Sequence, residues 1–241
     1  MISYLYNNFV FNPLYNGLIY LIDVIPGIDA GVAVIIFTII VRLVLFPLSK
    51  KAVVTQVKMK EIEPELNRIK REITDRQQQA MAVMDLYKKK GVNPFSSILF
   101  LFIQLPIIFS LYSIFMNSGL PEVKEALLYG FVSVPVIDMN FLGILDIGSK
   151  SIILAIIAAI AQYLQLHFSF ASSGPQVKSD DPAMEMTQNM MKNMKYIFPI
   201  MVFFISYKIA AVVALYWTVS SLFTLGQEIV VRRHLKQHKP L

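Results

Sequence analysis

The chain has 241 residues, 56% of them hydrophobic and only 16% charged, against about 25% charged in an ordinary soluble domain. It contains no cysteine, which excludes disulfides, thiol catalysis, zinc–thiolate sites and iron–sulfur clusters. The net charge of +6 gathers beside long apolar runs, where a membrane surface explains it, so no specific nucleic-acid sequence is expected as a partner.

Residues 1–29 carry no Lys or Arg, so no signal peptide with a charged leading region is visible. Within them, residues 12–25 place Leu14, Leu18, Leu21, Ile22 and Ile25 at helical spacing, which predicts an amphipathic helix lying at the interface of an extracytoplasmic segment. The first predicted span covers residues 30–49 and ends at Ser49-Lys50-Lys51. Residues 50–92 are polar and basic, with one apolar stripe of Ile62, Leu66, Ile69 and Ile73 and another of Ala80, Val83, Met84 and Tyr87. The two stripes, separated at Thr74-Asp75-Arg76-Gln77, predict an antiparallel helical hairpin outside the membrane. A solvated basic face without a partner is the alternative reading.

A second span is expected over 93–117. Residues 118–150 are fairly apolar but interrupted by Pro121, Pro135, Asp138 and Asp146, and are expected to form a loop. A third span follows over 151–170, then a polar loop over 171–195. The last apolar stretch is long enough for two short spans, 196–207 and 208–231, turning near Ser206-Tyr207-Lys208, and a basic tail occupies 232–241.

Charge asymmetry sets the topology. The 50–93 loop has eleven Lys/Arg, the 171–195 loop three and the tail four, whereas residues 1–29 have none and the 117–150 loop has only Lys124 and Lys150. Positive-inside then puts the N-terminus outside and the hairpin, second polar loop and tail in the cytoplasm. The expected fold is an all-α integral membrane protein with five transmembrane helices, N-out and C-in.

Arg42 demands explanation. It lies inside the first span, eight residues before Lys50, or roughly 12 Å along a helix. A charge at mid-bilayer costs about 2.5–3.5 kcal/mol even on the lenient insertion scale. Two readings stand: Arg42 snorkels toward the headgroups, or it faces a wet cavity in the bundle and attracts carboxylates on a passing chain. No Asp or Glu lies in the predicted spans apart from Glu228 near an end, and a hydrated groove is the economical account of a buried arginine there. Thr38 shares its helical face. Gln104 in the second span, Gln162 and Gln165 in the third, and Ser220, Ser221 and Gln227 in the last are further polar groups at membrane depth. Taken singly, each is ordinary interhelical hydrogen-bond glue.

Catalysis has no foothold. His234 and His238 are spaced i, i+4 on a basic tail without a carboxylate, so zinc is not expected. No phosphate loop, nucleophile elbow or intramembrane carboxylate pair is present. The chain is read as no enzyme and as needing no cofactor. Met184, Met186, Met190, Met191, Met194 and Met201 suit either a surface that accepts varied apolar partners or ordinary packing.

The run Leu86-Tyr87-Lys88-Lys89-Lys90-Gly91-Val92-Asn93-Pro94, followed by Phe102-Ile103-Gln104-Leu105-Pro106-Ile107-Ile108-Phe109, resembles the YidC/Oxa/Alb insertase family. So do Val41-Arg42-Leu43 with Pro47-Leu48, the stretch from Met191 through Tyr196-Ile197-Phe198-Pro199 to Met201, and Ala214-Leu215-Tyr216-Trp217. Phe100 and Ser221 depart from it, standing where the family often has a proline and an asparagine. The resemblance implies a five-span core with a groove open to cytoplasm and lipid and closed on the outer side. It puts Arg42 in that groove, with Gln165 (or its neighbour Gln162) and Trp217 as further groove positions. The implied partners are newly made membrane proteins, the lipid bilayer, the ribosome, the signal-recognition pathway and the Sec translocon, in a plasma membrane. A small anion channel or transporter and a static assembly subunit are the rival functions.

Overall fold

The computed structural model describes residues 2–93, 96–116, 120–171 and 182–237. The described chain is almost wholly helical. Helix α1 (Ile2–Tyr6) runs through a π-turn (Asn7–Phe11) into α2 (Asn12–Val24), and α3 (Ala30–Val44) is followed by α4 (Phe46–Glu61), α5 (Glu63–Glu72) and α6 (Arg76–Lys90). Then come α7 (Ser96–Met116), α8 (Ile152–Ala171), α9 (Pro182–Lys208) and α10 (Ala211–Gln237).

The side-chain distribution is that of a helix bundle facing lipid. On α8, Ile152, Ile153, Ile156, Ile157, Ile160 and Leu164 are exposed while Ala155, Ala158, Ala161 and Gln162 are buried. Large apolar groups outside and small or polar groups inside is the pattern of a span whose solvent is hydrocarbon and whose neighbours approach closely over alanine. Helix α9 repeats it, with Ile197, Ile200 and Phe204 outward and Val202 buried. By length and composition, Ile152–Ser169 is the one described helix that suffices alone to cross a membrane.

Two boundaries differ from the sequence expectation. The stretch read as one span over 30–49 breaks at Leu45, where α3 and α4 meet at 63°. Pro47, in the first turn of α4, lacks an N–H and crowds the carbonyl four residues back, so the helix bends there. Helix α9 begins at Pro182, well inside the stretch read as a polar loop, and ends at Lys208, so the turn into α10 falls at Ile209-Ala210. Residues 172–181 of that loop lie outside the described ones.

Residues 120–150 make no span. They fold as an irregular loop with a short 3-10 turn (Glu125–Leu127) and a small hairpin of β1 (Asn140–Phe141) against β2 (Leu145–Asp146). The loop is stitched across one end of the bundle. Asn16 donates to Leu127 O (2.9 Å) and accepts from Tyr129 N–H (2.6 Å), and Tyr15 Oη accepts from Lys124 N–H at 2.9 Å. Ala30 N–H donates to Asp138 O and Val212 N–H to Ile147 O. Asp29 caps α3 by accepting from Val32 N–H at 2.8 Å, and its other oxygen accepts from Leu142 N–H. Gly31 is required here, because a Cβ would lie 2.7 Å from Cγ of Phe141.

The main core lies under this loop. Tyr15, Leu18, Ile19 and Ile22 of α2 meet Ala33, Val34 and Phe37 of α3, Leu111 and Ile114 of α7, Ile147 of the loop and the first turns of α10. The buried face of α2 is thus rotated from the predicted stripe. Tyr15 and Ile19 enter the core fully and Leu14 and Leu21 only partly, because the polar reach of Asn16 to the loop sets the helix's rotation.

At the far end α5 and α6 form a hairpin with its own small core of Ile62, Leu66, Leu86 and Val92. Asp75 caps α6 by accepting from Gln78 N–H, while Gln79 Nε2 donates to the terminal carbonyls Lys70 O and Ile73 O of the first arm. Gly91 closes α6 in the left-handed conformation (φ 61°) after three lysines, which also complement the helix dipole. Burial pushes the Tyr87 phenol up from its ordinary pKa.

Candidate functional site

Several polar side chains inside the helical bundle converge on α10, which packs against α8, α3 and α4. Trp217, Ser220, Ser221, Thr224, Gln227 and Glu228 recur at helical spacing and so form one stripe down this helix. The α3 and α4 side supplies Arg42 and Ser49, and the α8 side Gln162, Gln165 and Ser169.

The upper rung joins Ser220 and Ser221 to opposite walls. Arg42 Nη2 donates to Ser220 Oγ, and both residues are buried, Arg42 at 6% exposure. Ser221 Oγ donates to Gln162 Oε1 at 3.0 Å, and Trp217 Nε1 donates to the same oxygen at 2.7 Å. Gln162 spends its amide on Gln165, with Nε2 donating to Oε1 at 2.6 Å. One glutamine therefore holds a tryptophan, a serine and a second glutamine in fixed orientation.

The lower rung repeats the device seven residues on. Gln227 Nε2 donates to Ser49 Oγ of α4, and Ser169 Oγ of α8 donates to Glu228 Oε2. Glu228 is also the acceptor for Arg232, from Nε at 2.9 Å and Nη2 at 2.6 Å. A buried carboxylate of this kind is tolerable because it is paired and hydrogen-bonded. The two rungs are separated by roughly 10 Å along the helix, with Thr224 between them donating back to Ser220 O at 2.8 Å.

Of the residues singled out from sequence, Arg42 and Ser220 meet, and Gln162, Gln165, Trp217 and Ser221 meet. Gln104 sits on α7, but its side chain lies outside the described ones, as do those of Met184, Met186, Met190 and Met191. Thr38 donates to Val34 O of its own helix at 2.6 Å and supports α3 rather than the stripe. Ser49 and Ser169 were not foreseen. Each sits where an apolar run meets a polar segment, so its hydroxyl reads as loop chemistry until the partner on α10 is seen. Among the described residues no cluster of His, Cys, Asp and Glu could hold a metal.

The arrangement can present a fixed cation and a row of amide and hydroxyl groups inside the helical bundle. Comparison with known proteins is consistent with that chemistry. The family model for the 60Kd inner membrane protein matches residues 21–239. The membrane protein insertase YidC of Clostridium tetani is 32% identical over 215 residues, covering 88% of this chain and 86% of that protein. YidC of Fusobacterium nucleatum is 29% identical, covering 84% and 86%. A crystal structure of an active YidC insertase with its first transmembrane domain resolved is similar at TM-score 0.53 and 25% identity. That likeness covers 90% of this chain, which spans somewhat less than half (46%) of the solved one.

Proposed function

The chain belongs to the 60Kd inner membrane protein family, the YidC-type membrane protein insertases, and from that premise we propose how it brings other proteins into the plasma membrane. The substrate is a newly made membrane protein. Its polar outer segment enters along the α10 stripe, where Arg42, Ser220, Ser221, Gln162, Gln165 and Trp217 line a hydrophilic groove. The buried Arg42, oriented by Ser220, carries this reading.

The physical need is clear. An unsatisfied polar group in hydrocarbon costs several kcal/mol, and a substrate tail carries many. A preplaced guanidinium and a ladder of hydrogen-bonding groups replace part of the hydration the tail gives up. A carboxylate on the tail gains most, because a charge-assisted bond to Arg is roughly twice as strong as a neutral one. The substrate's own apolar segment then leaves sideways into lipid beside α8, α9 and α10, driven by its hydrophobicity. The step involves no covalent chemistry, nucleotide or cofactor.

We place five spans in the bilayer, N-terminus out and C-terminus in. The bent α3–α4 pair, α7, α8, α9 and α10 supply them, and α2 lies at the outer interface. The hairpin of α5 and α6 and the basic end of α10 face the cytoplasm, where they suit the ribosome, the signal-recognition pathway and the Sec translocon as partners. The 120–150 loop closes the outer side.

The test is reconstitution of the purified chain into lipid vesicles with a small single-span substrate, read by protease protection. Protection above that of empty vesicles supports an autonomous insertase. Anion flux through the same vesicles without protection would instead favour a channel, and neither activity would favour an assembly subunit.

A further inference from the structure

The loop over 120–150 carries an apolar surface that insertion does not use. Val136 is 97% exposed, Ile144 87%, Phe131 71% and Leu142 62%, with Val134 exposed beside them. No charged residue occurs between Ala126 and Ile137 or between Met139 and Leu145. The exposed groups therefore form two uncharged tips, separated by Asp138, rather than apolar residues scattered singly among charges.

These tips are held in place. Phe141 packs on Gly31, Ile147 is fully buried, and Asp29 accepts from Leu142 N–H. Leu142 itself has φ 54°, beside Gly143 at φ 68°. A left-handed backbone favours glycine or asparagine, and a leucine there is strained. Its side chain is exposed, where a partner outside the chain would cover it.

We propose that this partner is the lipid bilayer, with the Phe131–Val136 and Leu142–Ile144 tips seated in its interfacial layer at the loop end of the bundle. Three observations favour lipid. The loop is bonded to the span ends themselves, through Ala30, Ala211 and Val212, so it lies at the level where the bundle leaves hydrocarbon. The apolar surface continues onto α2, because the rings of Tyr20 and Phe131 meet edge to face at 6.1 Å and Tyr129 lies 5.7 Å from Phe131. Tyr4, Phe9 and Tyr20 are likewise exposed on the helical segment that includes α2, an aromatic composition that interfaces favour. The loop is thus a lid fastened to protein on one side and to lipid on the other. This holds for whichever leaflet faces the loop end, and it does not depend on insertase activity.

The cysteine-free chain makes the test direct. Single variants Phe131→Cys, Val136→Cys and Ile144→Cys, each labelled with the same small fluorophore, are reconstituted in phosphatidylcholine–phosphatidylglycerol vesicles beside Glu122→Cys, an exposed position in the same loop. Lipids brominated near the headgroup should quench the three tip labels, and iodide should quench them several-fold less than the Glu122 label. Adding Ile144→Asp to the labelled Phe131 variant should reduce lipid quenching there without lowering thermal stability. Iodide quenching equal to that at Glu122, with no quenching by lipid, would overturn the proposal. Shielding from both quenchers that fades as protein is diluted in lipid would overturn it in favour of a second copy of the chain.

Discussion

Ser220 and Ser221 are neighbours in sequence yet bind opposite walls: Ser220 accepts from Arg42 of α3, and Ser221 donates to Gln162 of α8. Gln227 and Glu228 repeat the split two turns later toward Ser49 and Ser169. Consecutive helical residues point about 100° apart, so a pair of adjacent polar side chains reaches two neighbouring helices at once. Helix α10 is the polar spine on which the two sides are hung.

Gln162→Leu should loosen the upper rung. It leaves Trp217 Nε1 and Ser221 Oγ without their shared acceptor, at about 1–3 kcal/mol for buried donors left unmade, tempered by the smaller values found between membrane helices. Trp217 is the sole tryptophan, so its emission reports the change without labelling. The thermal midpoint should fall and the emission should shift. Trp217→Phe should then cost less in the Gln162→Leu background than alone, since the bond it removes is already gone.

Glu228→Ala should be more damaging than Glu228→Gln. The alanine strands Arg232 and Ser169 at the lower rung, and removing one member of a buried pair typically costs about 3–5 kcal/mol. The glutamine keeps an acceptor oxygen for Arg232, and its Nε2 can donate to Ser169 Oγ. Thermal unfolding in lipid nanodiscs ranks the two. Equal loss from both would mean that the acceptor the glutamine keeps contributes nothing once the charge is gone.

Gly31→Ala should unseat the loop, because its methyl would overlap the Phe141 ring. Overpacking of this kind costs about 1–3 kcal/mol. The measurable sign is faster proteolysis within the loop, reversed by Phe141→Leu in the same chain, which clears the space.

Much of this architecture is legible in the residues, for reasons that also mark where legibility stops. Ile152–Ser169 announces itself because length and composition alone define a span. Arg42 stands out because a charge at depth is expensive. The bend at Leu45 is invisible to hydropathy, which reads through Pro47 without registering the lost hydrogen bond. Gln162 is named by sequence but not as the hub, since its role depends on Trp217 and Ser221 arriving from 55 and 59 residues away. The stitching of Asn16 and Asp29 to the loop is hidden for the same reason: a polar side chain shows its type, and only the fold shows its partner. The rotation of α2 follows from that stitching.

The proposed charge attraction between Arg42 and acidic tails can be isolated by a charge cycle. Insertion into vesicles is measured for the wild-type chain and Arg42→Ala, each with a single-span substrate whose outer tail is either acidic or neutralised by Asp→Asn changes. Arg42→Ala should slow the acidic-tailed substrate by about tenfold, or ~1.4 kcal/mol of barrier, and the neutral one by less than about twofold, with Arg42→Lys in between. An equal slowing of both substrates would contradict it, because Arg42 would then be holding α3 to α10 and not attracting the substrate.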